Sequence, residues 1–169
     1  MSVAALAYGN GETRTTHPNR RGLSMTWLFQ TDPALPLLIV RLGLGIVFFA
    51  HGAQKVFGWF GGYGLKGTLG YFKSLGIPTA LGVIACFAEF LGGIAMLVGF
   101  LARVAALGLA IDMLVAIATV HKPHGFFLNW GVVQGKGHGY EMNLVLIAMA
   151  LAILFGGAGA WSIDLSLSR

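Results

Sequence analysis

Apolar residues fall along this chain in long unbroken runs, not in the alternation of a half-buried strand or the seven-residue stripe of a half-buried helix. Runs of that kind are helices apolar on every face, and they belong in lipid, where a crossing takes roughly 20 residues. Four such spans are predicted, at about 36–57, 79–99, 102–120 and 141–157. Asp32, Pro33 and Pro36 introduce the first by favouring a turn and then a helix start. The expected fold is all-α: an integral membrane four-helix bundle in one domain over 25–169, with a disordered tail at 1–24. Between the second and third spans lies a short turn, read as cytoplasmic, which makes those helices antiparallel neighbours. Two longer outer loops are rich in aromatic residues and glycine. The first, Gly58 to Pro78, carries Trp59, Phe60, Tyr63, Tyr71 and Phe72 with Lys66 and Lys73, a mixture suited to the headgroup level. A short interfacial or re-entrant helix is expected there between Leu65 and Leu75. Small residues recur at four-residue spacing in the third span (Ala102, Ala106, Ala110) and the fourth (Ala148, Ala152, Gly156), a spacing that lets helices approach closely.

Composition agrees with this pattern. Of 169 residues, 56% are hydrophobic and 10% charged, against roughly 25% charged in soluble domains. The net charge is +5, but the basic residues are scattered singly, without the cluster that tracks a phosphate backbone, so nucleic acid is not an expected partner. A lone cysteine, Cys86, excludes an internal dithiol couple and is read as a packing residue. The first 24 residues lack the basic stretch and long apolar core of a signal peptide. With an even number of spans both termini share a side. Arg14, Arg20, Arg21, Arg103 and Arg169, with Arg41 nearby, mark it as cytoplasmic, while Lys55, Lys66, Lys73, Lys122 and Lys136 lie opposite.

Candidate chemistry begins with ionisable groups inside the spans, which ordinarily face the bundle interior and find a partner. Arg41, Glu89 and Asp112 are three such groups. Glu89 and Asp112 lie about 15 Å deep, and Arg41 enters about 8 to 9 Å from the terminal side. Arg41 is therefore expected to pair with one acid, either as a device of helix register or as part of a buried polar network, leaving the other acid neutral. A second constellation gathers at the outer surface. His51 and Lys55 share a helix face with Gln54 beside them, the last span opens with Glu141 and Asn143, and the loops bring His121, His124 and His138 to the same side. Imidazole and carboxylate are ordinary metal ligands, so His121, His124 and His138 are metal candidates, although their spacing matches no recognised motif. A quinone site is the other option, since an apolar slot headed by hydrogen-bond donors could be built from His51, Gln54, Lys55 and Glu141.

The combination of Arg41, His51-Gly52 with Lys55, Glu89 followed by Gly92-Gly93, Gly125-Phe126-Phe127, Glu141, and Asp164 in GGAGAWSID resembles the DoxX family of small bacterial membrane proteins. The resemblance covers Met25 to about Leu165. Relatives commonly begin near a sequence such as Met25-Thr26-Trp27, which makes residues 1–24 an extension or a mis-assigned start. It implies a four-helix inner-membrane protein, multi-pass, belonging to a quinone-linked oxidoreductase or an oxidative-stress system. Glu141, His51 and Lys55 are then the catalytic candidates. With no dinucleotide fingerprint, haem motif or cysteine pair, electrons must pass through a quinone, a metal or a soluble or membrane redox partner. The competing readings are a non-catalytic scaffold for such a partner and a small-solute transporter, the latter requiring chains to associate into a homo-oligomer.

Overall fold

A computed structural model describes residues 25–169, so the expected N-terminal tail at 1–24 lies outside the described residues. Six α-helices follow in order: α1 (Leu35–Phe57), α2 (Gly64–Ser74), α3 (Thr79–Val98), α4 (Ala102–Ala116), α5 (Glu141–Gly156) and α6 (Ile163–Leu167). The long helices pack cyclically, α1 against α3, α3 against α4, α4 against α5 and α5 back against α1. Three are long and apolar enough to cross a membrane; the third of these is α4 together with the π turn Ile117–His121 and the short 3-10 turn Lys122–His124 that prolong it. The fourth, α5, has 16 residues and a length of about 24 Å, somewhat less than the roughly 30 Å hydrocarbon layer. Ile39, Ile46, Ile84, Leu91, Ile111, Leu114 and Phe155 point outward and are exposed. Such a surface has its solvent in lipid. Inside, Leu44, Phe48, Met96, Leu109 and Ile153 form the core.

The α1–α3 pairing is the tightest. A Cβ added to Gly52 would stand 2.3 Å from the backbone nitrogen of Phe90, and one added to Gly93 would stand 2.3 Å from that of Phe49. Each helix thus meets the other's backbone directly, the close approach that small residues allow in membranes. Ala102, Ala106 and Ala110 of α4 face inward as expected. Ala148 and Ala152 do not. They are exposed, and α5 instead turns Leu146, Ala150 and Ile153 to the core.

At the end of the bundle that holds the C-terminus, Arg41 is fully buried and meets neither Glu89 nor Asp112, contrary to the sequence expectation. Its guanidinium donates to five backbone carbonyls: Met96, Leu97 (2.9 Å), Ala158 (2.8 Å), Ala160 (3.3 Å) and Trp161 (3.2 Å). The first two are carbonyls that the last turn of α3 leaves without helical partners, where positive charge is favoured. Arg103 repeats the device on α5, donating to Leu154 and Phe155 (2.9 Å) and to Gln30 (2.9 Å), with its guanidinium 4.5 Å over the Trp27 ring. Asp164 completes the latch from a distance of 62 residues, accepting from Leu101 (2.8 Å) and Ala102 (2.9 Å) and so capping the N-terminus of α4. Gly99 sits among these groups with φ +68°, and an added Cβ would strike Ser162 at 2.4 Å.

The Gly52 contact gives a direct test. Gly52→Val is expected to lower stability in detergent by about 1–3 kcal/mol through overpacking. Gly70→Ala, where an added Cβ meets nothing within 4 Å, is expected to leave the thermal unfolding midpoint unchanged or slightly raised.

Candidate functional site

The same register that places Arg41 at the end of α3 brings Lys55, in the last turn of α1, to Glu89 on α3. The two form an ion pair in which Glu89 is 2% exposed and Lys55 28%. Because Gly52 packs against Phe90, α1 ends about a turn and a half past the contact while α3 runs about three turns further. Glu89 therefore lies within reach of a lysine at the helix end. Only one oxygen of Glu89 is satisfied, since Oε2 is buried and has no hydrogen-bond partner among the described residues. Asp112 of α4 lies against it. Two ionised carboxylates have no proton to share, whereas a proton on either acid lets the two carboxyls share a hydrogen bond.

This cluster heads a cavity of about 1060 Å³ bounded by the end of α1, by α2, α3 and α4. Amphipathic α2, one residue earlier at each end than predicted, is its roof, with Thr68 buried over the backbone carbonyl of Lys55. The walls are apolar, and Leu81, Ile84, Ile111 and Val115 at the rim are exposed, so the cavity opens sideways on the flank of α3 and α4. A second cavity, about 300 Å³, adjoins it and shares Lys55, Glu89, Ala116 and His121. Its lining includes His51, His138 and Asn143.

The predicted outer constellation is thereby divided. Lys55 lines both cavities, Gln54 the larger and His51 the smaller. Glu141 lines neither; its Oε1 accepts from the Trp130 indole at 3.1 Å. His124 is exposed on the surface. His121 is bonded through Nδ1 to the His138 carbonyl (2.9 Å), and His138 accepts at Nδ1 from the Asn129 amide (3.2 Å). Among the described residues no group of three His, Cys, Asp or Glu side chains could hold a metal ion, so the metal candidates are not brought together as a ligand set. Cys86 is fully buried and free. Two contributors escaped the sequence reading. Thr68 announces itself only as a lone hydroxyl in an interfacial helix, and Arg103, counted for orientation alone, carried the signal of a basic residue in the first turn of an apolar helix.

The DoxX family model matches residues 36–122, which include α1, the α2 roof, α3 and α4 with its π turn. The chain belongs to the DoxX family. Among its relatives, an uncharacterized membrane protein of Mycobacterium tuberculosis (strain ATCC 25618 / H37Rv), Rv3486, is 33% identical over 143 residues, covering 79% of this chain and 82% of that one. The inner membrane protein YqjF of Escherichia coli (strain K12) is 29% identical over 133 residues, 79% and 92% of the two chains. CatD of Bacillus subtilis (strain 168), whose name provisionally assigns it as an oxidoreductase, is 31% identical over 92 residues, 54% and 64%. No solved structure matches the chain. The DoxX protein described here is a membrane protein with several apolar helices, and the family match contains Lys55, Glu89 and Asp112 but not Glu141.

Removing one member of a buried pair leaves the other charge unpaired. Lys55→Met is expected to cost about 3 kcal/mol, read as a lower unfolding midpoint in detergent, and Lys55→Met with Glu89→Gln is expected to recover most of it. Equal losses in the single and double variants would contradict the pairing.

Proposed function

We propose that this DoxX protein is the membrane subunit of an oxidoreductase and binds a lipid-soluble quinone in the larger cavity. The observation that carries the proposal is the cluster of Lys55, buried Glu89 and Asp112 at the head of an apolar cavity of about 1060 Å³. Pockets for small molecules ordinarily combine apolar walls with a few convergent polar groups, and this one joins an ammonium and two carboxyls to walls of Leu, Ile, Val, Phe and Tyr. The chemistry a quinone supplies there is the uptake of electrons and protons in equal number to give the quinol. The electrons come from a redox partner. Lys55 would donate a hydrogen bond to a quinone carbonyl, Glu89 and Asp112 would hold the proton between them, and α2 covers the head of the cavity. Thr68 fixes the end of α1 from above. Both termini are cytoplasmic in this reading, which puts the site toward the opposite face of the membrane.

The site differs from one centred on Glu141, and the difference can be measured. Mass spectrometry of small molecules retained by protein purified in mild detergent is expected to find quinone at near-stoichiometric level. Glu89→Gln and Asp112→Asn are expected to lose it, while Glu141→Gln keeps it. An empty wild-type protein, or quinone lost only from Glu141→Gln, would overturn the assignment.

A further inference from the structure

The smaller cavity has polar side chains in its lining, His51, His121, His138 and Asn143, that the quinone reading leaves without a task. It runs from His51, His138 and Met142, all exposed, to Glu89, which is 2% exposed. Asn143 is buried in its wall, and among the described residues its side-chain amide bonds only the Met113 sulfur, at 3.3 Å. A buried amide held by a thioether alone is poorly satisfied. The cavity has room for roughly ten waters at about 30 Å³ each, and water is the natural partner for that amide.

The histidines are also set in defined tautomers. His51 Nδ1 lies 2.9 Å from the Val47 carbonyl and His121 Nδ1 lies 2.9 Å from the His138 carbonyl. A carbonyl only accepts, so both Nδ1 atoms carry hydrogen, and in the neutral rings Nε2 is left as the proton acceptor. His138 is the reverse. Its Nδ1 accepts from the Asn129 amide, so Nε2 carries the hydrogen. Two acceptors and a donor thus line one cavity. His121 closes a π turn at Ile117–His121, a feature frequent at functional sites.

We infer that the smaller cavity is a proton port, a hydrated relay through His51, His121, His138 and Asn143 that joins the buried Lys55–Glu89–Asp112 cluster to the aqueous face. The port leads to the aqueous face whereas the larger cavity opens toward lipid, and the two meet at Lys55, Glu89, Ala116 and His121. Ligand and proton then reach one cluster by different routes, and each proton that enters at the aqueous face replaces one that leaves the carboxyls. The titratable groups facing the cluster and its cavity are His51 and Lys55 from α1, Glu89 and Cys86 from α3, Asp112 from α4, His121 from the π turn and His138 from the loop before α5. The inference rests on reading the cluster as a proton holder, and its test is made without quinone, so an empty larger cavity leaves it standing.

The test is infrared spectroscopy of the quinone-free full chain in lipid nanodiscs, following the protonated carboxyl C=O band after transfer to heavy water. The band is first assigned by its loss in Glu89→Gln or Asp112→Asn. His51→Phe with Asn143→Leu is expected to slow its deuterium shift by about tenfold or more, as blocking a membrane proton relay should. Met142→Trp, at an exposed residue that lines the smaller cavity alone, narrows the passage without touching its hydrogen bonds; it is expected to do the same and guards against a misfolded double variant. His124→Phe, outside both cavities, exchanges like wild type. Exchange unchanged in both blocked proteins overturns the port, and so does the lack of any carboxyl band that those acid substitutions remove.

Discussion

The backbone contact between α1 and α3 at Gly52 and Gly93 is the constraint from which the polar architecture follows. Once Phe49 and Phe90 lie against those glycines, the antiparallel register of the two helices is settled. Arg41 must then fall beside the last carbonyls of α3, and Lys55 beside Glu89. A slip of one turn would move each charge about 5.4 Å along the partner, stranding a guanidinium and a carboxylate in hydrocarbon. Glycines and charges therefore support one another, the glycines allowing the approach and the charges penalising any other.

The two ends of the bundle satisfy their buried charges in opposite ways. At the end holding the C-terminus, two guanidiniums and one carboxylate are absorbed by helix termini and by the Gly157–Trp161 turn, with nearly every donor engaged. Among the described residues the one buried side-chain atom left over there is Arg103 Nε. At the other end the ion pair is incomplete, with an oxygen left over, a second acid against it and cavities on both sides. Buried polar groups that are fully satisfied specify a fold, whereas groups left open at a cavity mark a place where something else can bind or transfer.

How much of this could be read in the sequence depends on where the signal resides. The spans and the α2 roof were legible because apolar runs and interfacial aromatics are written directly in residue types. The inward direction of Glu89 was legible because an ionisable group in an apolar run ordinarily turns from lipid. Arg41 was assigned the wrong partners because backbone carbonyls have no letter of their own, and an arginine near a span end can be satisfied by any helix that happens to finish beside it. Glu141 was gathered with His51 and Lys55 because all three lie at one surface, yet position along the membrane normal says nothing about direction around the helix. The Trp130 contact that holds Glu141 aside comes from a loop with no periodicity to read. The pairing of Lys55 with Glu89 depended on the stagger of α1 and α3, a tertiary quantity.

The sideways mouth between α3 and α4, rimmed by Leu81, Ile84, Ile111 and Val115, changes the meaning of concentration for this protein. Any amphiphile that uses it is drawn from the plane of the bilayer, where hydrophobic molecules accumulate far above their level in water. Occupancy is then governed by the mole fraction of ligand among lipids. A modest intrinsic affinity suffices in a native membrane, and the same site is depleted simply by diluting it with detergent or excess lipid.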